Sequence, residues 1–396
     1  MGDISLKVQG FCAFVLLSLL ISNFAYAQFS ATQTLASSGS IISFNMTRPL
    51  HTEGKYVKSD RGEIIYLRGV NRAFFASDCT GYWQPIGGGS QSGYGSWSET
   101  AMQEHLNEIK SFGFNTVRCQ FDIKWWIEDA STTLDGFATN RNFRACLEDT
   151  IEYASEIGLY VIIVPYSVIA TWPHIGQDPV PWAPYSVTDP EGTVMPNRQA
   201  FVDFWVDVAT ELQKYPNVLF ELFNEPHGDY TYKSEWFAGV QETITAIRAI
   251  QCDNIIVVHW GYCGSFSWVT QYPLTGSNIL YSNHIYHSEN EGAGATIPEG
   301  MSSYEDIKNK LLNDWDYDVV VNSSIPIYIG EFGAVYSDPV PFAFFQNLLS
   351  LMNDWDMSYT AWVWDQPTLS YNLQYDGTIP LSLNPCGELL VEAISG

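Results

Sequence analysis

Two rhythms of apolar and polar positions run through the chain. Short apolar runs bounded by turn residues read as buried strands, and apolar positions three and four apart read as helix faces packed on a core. A first pair of strand-like runs lies between Lys55 and Asn71, split by the turn Ser59-Asp60-Arg61-Gly62; the second, Ile64 to Asn71, reads as the first barrel strand. A helix opens at Ser98 and Glu99, runs to Phe112 and stops at Gly113. Strands then read at Asn115–Arg118, Leu159–Val164, Val218–Phe223, Asn254–Val258, Ile279–Asn283, Ile325–Glu331 and Tyr359–Trp364. Between or after them lie helices at Arg141–Ile157, Asn197–Lys214, Ser234–Ile250, Tyr304–Trp315, Val340–Trp355 and Cys386–Ile394. The helix from Asn197 sets Phe201, Phe204, Trp205, Val208 and Leu212 on one face. Strands joined by helices or long loops are parallel, and this count of units predicts the α/β class, a (β/α)8 TIM barrel in one domain with a short N-terminal hairpin. An open doubly wound sheet is the competing arrangement, but no Gly-x-Gly-x-x-Gly follows the first strand.

Two of these strands end in the same unusual way. Val218-Leu219-Phe220-Glu221-Leu222-Phe223 runs into Asn224-Glu225-Pro226, and Ile327-Tyr328-Ile329 runs into Gly330-Glu331-Phe332-Gly333. Pro226 cannot continue a ladder and favours extended geometry at Glu225. In a barrel of this kind the site lies at the C-terminal strand ends, which here carry Asn71, Arg118, Asn224, Glu225, His284, Glu331, Trp362 and Trp364, with Tyr286 just beyond. Taken singly, a strand-end arginine or histidine is an ordinary structural residue. Two carboxylates facing one cleft suit glycoside hydrolysis, in which one stays protonated and the other ionised. Arg118 and the Tyr286 hydroxyl are suited to stabilising the ionised one.

Composition narrows the partners. The net charge of −26, with only 18 lysines and arginines, argues against nucleic acid and anionic membrane. The 14 tryptophans and 23 tyrosines fill a core or, in part, offer aromatic faces to the C–H faces of sugar rings. Trp83, Trp172, Trp182 and Trp268 are the candidates for lining a cleft. At the N-terminus, Lys7, the apolar stretch Phe11–Phe24 and Ala25-Tyr26-Ala27 predict a secretory signal cleaved after Ala27, with an uncleaved anchor as the alternative. The expected division is a signal over 1–27, a Ser/Thr/Ala-rich leader over 28–52 and a catalytic domain over 53–396. Beyond Cys12 in the signal, Cys79, Cys119, Cys146, Cys252, Cys263 and Cys386 permit disulfides in an exported chain but show no metal-ligand spacing. Asn45 and Asn322 head glycosylation sequons.

The quoted strand ends, with Asn115-Thr116-Val117-Arg118, Ser282-Asn283-His284-Ile285-Tyr286 and Thr360-Ala361-Trp362-Val363-Trp364, occur in an order that resembles glycoside hydrolase family 5, the cellulase family, across about residues 64–365. The resemblance implies that Glu225 is the acid/base and Glu331 the nucleophile. It implies that Asn224 contacts the sugar 2-hydroxyl, that Arg118, His284 and Tyr286 orient the glutamates, and that Trp362 floors the cleavage point. One position departs: where the family commonly has a histidine after the third strand, this chain has Val164-Pro165-Tyr166-Ser167, with no histidine before His174. The expectation is a secreted, monomeric, retaining endo-β-1,4-glucanase acting on polysaccharide, with no cofactor, no metal, no nucleic acid and no membrane after signal cleavage. β-Mannanase and related β-glycan activities, and an inactive carbohydrate-binding barrel, are the alternatives.

Overall fold

In the computed structural model of the chain, the described residues are 46–72, 99–129, 142–167, 180–182, 195–261, 264–287, 297, 300–364, 373 and 382–395. The expected signal, Trp83, Trp172, His174, Cys79, Cys263 and Asn45 lie outside them.

Strands β1 (His51–Glu53) and β2 (Tyr56–Lys58) form an antiparallel hairpin. Eight further strands close a parallel barrel: β3 (Arg68–Arg72), β4 (Thr116–Asp122), β5 (Tyr160–Ser167), β6 (Val218–Glu221), β7 (Ile256–His259), β8 (Ile279–Ile285), β9 (Ile327–Phe332) and β10 (Ser358–Ala361). β10 pairs with both β9 and β3, so the sheet has no edge, and the open doubly wound alternative is excluded. Helices Glu99–Ser111, Phe143–Ile157, Arg198–Leu212, Tyr230–Ala249, Tyr304–Asp314 and Pro339–Asp354 follow β3, β4, β5, β6, β8 and β9.

The two opening runs come out differently from the sequence reading. The hairpin starts inside the expected leader, where Leu50 is buried, and turns at Gly54; the expected turn at Ser59–Gly62 follows it, with Gly62 N–H donating to the Ser59 carbonyl at 2.9 Å. Ile64 makes a single antiparallel bridge to Lys58, and the barrel strand begins only at Arg68. Gly69 explains why that segment sits so close to its neighbour: a Cβ there would meet the Thr116 carbonyl oxygen at 1.9 Å.

Local chemistry sets the helix limits. Asn197, Asp229, Ser303 and Asp338 each accept a backbone N–H of the first turn through the side chain, and Pro339 follows the last of these at the first helical position. Asp229 starts its helix four residues ahead of the expected Ser234. Gly158 ends Phe143–Ile157 in the left-handed conformation, as its sequence position predicts.

Alternation along the strands divides the core in two. Outward residues such as Val117, Cys119, Phe121, Val161, Ile163, Val218, Phe220, Ile256 and Val258 pack with the helices. Inward residues Tyr160, Ile162, Leu219, Val257, Leu280 and Tyr328 form a second apolar cluster with Leu67, and Leu50 and Val57 of the hairpin segment join it. The next inward positions on β6, β7 and β8 are Glu221, His259 and Ser282, and Arg118 of β4 joins them. A polar layer thus lies one step toward the C-terminal mouth from a dry one. Cys146, Cys252 and Cys386 are buried thiols, and Asn322 of the second sequon is exposed. No helix among the described residues is long and apolar enough to cross a membrane.

Candidate active site

The polar layer is organised by Arg118. Its guanidinium is fully buried on β4, and its planar fork is shared among four partners. Nε and Nη2 donate to Glu221 Oε2 and Oε1 at 2.7 and 2.8 Å. Nη1 donates to Glu331 Oε1 at 2.7 Å and to Asn71 Oδ1 at 2.8 Å. Nη2 also reaches Asn224 Oδ1 at 2.8 Å. Burial works against the charge, but Glu221 and Glu331 outweigh it, so Arg118 stays a cation at every working pH. Asn71 ties this fork to the barrel seam, since its Nδ2 donates to the carbonyls of Gly330, Thr360 and Ala361.

Glu331 is nearly buried on β9 and is clamped on both oxygens. Oε1 accepts from Arg118 Nη1 and, at 3.1 Å, from Gln120 Nε2; Oε2 accepts from the Tyr286 hydroxyl at 3.0 Å. Burial raises the Glu331 carboxyl above its ordinary value, with Glu221 adding to it, while Arg118 and the Tyr286 hydroxyl pull it back. Gly330 precedes it for a steric reason: a Cβ there would meet His284 Nε2 and Ser282 Oγ at 2.9 Å.

Glu225 lies beyond the end of β6, which stops at Glu221, so it sits on a turn and not on the strand. Extended geometry was expected from Pro226, but φ is +48°. Long-range backbone bonds on either side over-determine this strained turn: Asn224 N–H donates to the Pro165 carbonyl at 2.8 Å, and Gly261 N–H to that of Pro226 at 2.7 Å. Glu225 Oε1 meets His284 Nδ1 at 2.7 Å, and the same nitrogen is 3.6 Å from Glu331 Oε2. Burial, then His259 and Arg118, holds the His284 imidazole well below its ordinary pKa, so it is neutral. A neutral ring accepts from a protonated carboxyl or donates to an ionised one, so one contact serves both states of Glu225. One oxygen each of Glu225 and Glu331 lie within 4.8 Å of each other and of His284.

The expected residues Arg118, Asn224, Glu225, His284, Tyr286 and Glu331 therefore meet in one connected cluster. Trp362 is half-buried just after β10, and its backbone N–H donates to the carbonyl of Phe332, next to Glu331. Three of the other tryptophans singled out in the sequence belong to the core. Trp364 packs edge-on against Phe112 and Phe114. Trp182 stacks on Trp236, and Trp268 on Phe237, both fully enclosed, so neither lines a cleft as expected.

Sequence reasoning passed over Glu221, Gln120 and His259. The signal was present: a glutamate inside an apolar strand must be paired, and Gln120 stands two residues beyond Arg118, on the same face of β4. His259 ends β7, its ring 4.2 Å from that of His284, and neither of its nitrogens meets a hydrogen-bonding partner among the described residues.

Two triads bring ligand-type atoms within 4.8 Å, Glu221–His259–His284 and Glu225–His284–Glu331. Their carboxylates are already hydrogen-bonded to Arg118, Tyr286 or His284. A divalent ion in the first would stand beside the guanidinium that Glu221 holds in a fork, so this donor set fits an ion-pair network rather than a metal.

The model of the cellulase family, glycosyl hydrolase family 5, matches residues 78–367, well over half of the chain. The chain belongs to glycosyl hydrolase family 5. Among curated relatives, Endoglucanase Z of Dickeya dadantii is 28% identical over 148 residues, covering 36% of this chain and 29% of that protein. Endoglucanase A of Butyrivibrio fibrisolvens is 22% identical over 269 residues, covering 66% of this chain and 51% of that protein. The chain thus spans about half or less of the relatives it matches. A hyperthermophilic endocellulase from Pyrococcus horikoshii shares the fold, with a TM-score of 0.65 at 19% identity over 87% of this chain and 98% of that one. A β-glucanase from Saccharophagus degradans does so with a TM-score of 0.62 at 18% identity, over 88% and 94%.

Proposed function

We propose that this family 5 member is a retaining β-glycanase that cleaves β-1,4-glucan of the cellulose type. The observation that carries the stereochemistry is the closeness of Glu225 and Glu331, whose nearest oxygens lie within 4.8 Å. Retaining pairs stand about 5–5.5 Å apart, and inverting pairs stand about 6.5–9.5 Å apart to admit a water. Glu331 attacks the anomeric carbon as the glycosidic C–O bond breaks and Glu225 gives its proton to the leaving oxygen. Glu225 then takes a proton from water, whose oxygen displaces Glu331 and restores its carboxylate. The donors on Glu331 suit the nucleophile, which must be anionic. The neutral imidazole on Glu225 suits a residue that changes protonation twice per turnover. Trp362 is the platform beneath the reacting sugar.

The β-1,4-glucan assignment rests on the endoglucanase relatives. Hydrolysis of a panel of soluble β-glucan, mannan and xylan, with the anomeric form of the first product read by NMR, tests both parts. Fastest turnover of β-1,4-glucan with initial β-product is expected. Preference for mannan or xylan removes the substrate assignment, and initial α-product removes the retaining mechanism. The apolar run ending in Ala25-Tyr26-Ala27 supports export. Sequencing of the secreted protein should begin at Gln28, and finding the Phe11–Phe24 segment on it would oppose cleavage.

A further inference from the structure

Glu221 is fully buried, accepts from Arg118 on both of its oxygens, and has no part in the bond-making just described. We infer that Glu221 is a positioning residue: it locks one edge of the Arg118 fork so that a single guanidinium N–H reaches Glu331, and its charge keeps Glu331 basic enough to attack. The inference rests on Glu331 being the nucleophile.

The geometry comes first. A guanidinium presents two paired edges, each able to grip a carboxylate through two N–H groups. Glu221 occupies the edge formed by Nε and Nη2, which leaves Nη1 for Glu331 Oε1 and Asn71. Glu331 Oε2 therefore keeps the Tyr286 hydroxyl as its hydrogen-bond donor and remains available to carbon. Without Glu221, the buried cation would turn toward its one remaining carboxylate and take both oxygens of the group meant to react.

Charge points the same way. The titratable groups around Arg118 and Glu331 are Glu221 and Glu225 from β6 and its turn, His284 and Tyr286 at the end of β8, Tyr328 from β9, and, behind His284, His259 from β7. His259 and His284 are held neutral, the first by burial and then Arg118, the second by burial, then His259 and Arg118. Tyr328 is held protonated by burial. Arg118 thus faces two fixed acceptors, Glu221 and Glu331, and the excess negative charge opposes the guanidinium's tendency to make Glu331 a weak base. A plainly structural alternative exists, in which Glu221 only neutralises a buried arginine. That role would leave kcat at the wild-type value in folded Glu221→Asp, which keeps the charge.

The test measures kcat and KM on soluble β-glucan against pH for wild type, Glu221→Gln, Glu221→Asp and Glu331→Ala, with folding checked by circular dichroism. Removing the charge in Glu221→Gln lowers the Glu331 pKa. The acidic limb of kcat/KM should therefore move down by about 1–2 pH units, for a unit charge removed from the far side of one guanidinium at an effective dielectric of about 20. Plateau kcat should fall about tenfold or more, and KM much less, because the loss lies in alignment and basicity. Glu221→Asp keeps the charge but shortens the reach, so its limb should stay while its kcat falls. An unmoved limb in folded Glu221→Gln would overturn the inference. If Glu221→Gln does not fold, Glu221→Asp decides, and wild-type kcat in that variant would overturn it equally. Full activity in Glu331→Ala would instead remove the nucleophile assignment, and this inference with it.

Discussion

Replacing Tyr286 by phenylalanine isolates one hydrogen bond to the proposed nucleophile. The ring is buried, and phenylalanine fills nearly the same volume, so folding should be little affected. What is lost is the 3.0 Å donation to Glu331 Oε2. A hydrogen bond to a charged group is worth about 1.5–3 kcal/mol, and one pKa unit corresponds to about 1.36 kcal/mol. The hydroxyl favours the ionised carboxylate, so its removal raises a Glu331 pKa that burial has already raised. Glu331 must be ionised to attack, and activity is lost as pH falls through its pKa. The acidic limb of kcat/KM in Tyr286→Phe should therefore move up by about 1–2 pH units, with the alkaline limb unchanged. This is opposite to the shift expected of Glu221→Gln. Initial-rate profiles on soluble β-glucan, taken from below pH 4 to above pH 8, read both limbs. A limb that stays, or that moves down, would show that the phenol does not stabilise the reacting carboxylate, and the charge reasoning around Arg118 would fail with it.

Three further outcomes follow from the same geometry. Glu225→Ala should still form the glycosyl-enzyme from an activated aryl glycoside and be rescued by azide as the β-glycosyl azide, whereas azide with Glu331→Ala should give the α-azide; the reverse stereochemistry by NMR would exchange the two roles. Trp182→Ala should cost about 3–5 kcal/mol in denaturant unfolding while leaving KM near wild type, because its ring stacks within the core; a KM effect without a stability effect would return it to the cleft. Arg118→Met leaves Glu221 and Glu331 buried without their cation and should cost about 3–5 kcal/mol, so thermal melting should fall steeply; an unchanged melt would mean the carboxylates find other partners.

The barrel was legible in the sequence because strand and helix periods differ and because buried parallel strands read as apolar runs. Boundaries slipped where a local residue outvoted the pattern. Asp229 capped its helix early, and the first strand was overextended because Ile64 and Ile65 look like strand residues yet belong to the approach from the hairpin. The two glutamates stood out because each follows an apolar run. Glu221 did not, since inside Phe220-Glu221-Leu222 it looked like part of the run; only the burial of Arg118 shows what it is for. Tryptophan was the least informative residue type. Trp182 and Trp362 have the same chemistry, and only tertiary packing separates a ring enclosed by Phe201 and Trp236 from one left half-open at a strand end. The turn at Glu225 was also out of reach, because long-range bonds to the neighbouring chain segments hold a conformation that Pro226 by itself disfavours.

The seam where β10 meets β3 joins the last strand of the barrel in chain order to its first. Asn71 sits on that seam, accepting from Arg118 while donating to Gly330, Thr360 and Ala361. A nascent chain that has made Glu225 already holds Asn71, Glu221 and Asn224, but Arg118 still lacks Glu331 and Asn71 still lacks its carbonyl acceptors, and both gain them only when the ring shuts. The proposed machinery is thus self-certifying: a half-barrel holds the fork without the carboxylate it is to orient, and Glu331 meets Arg118 only on completion of the ring.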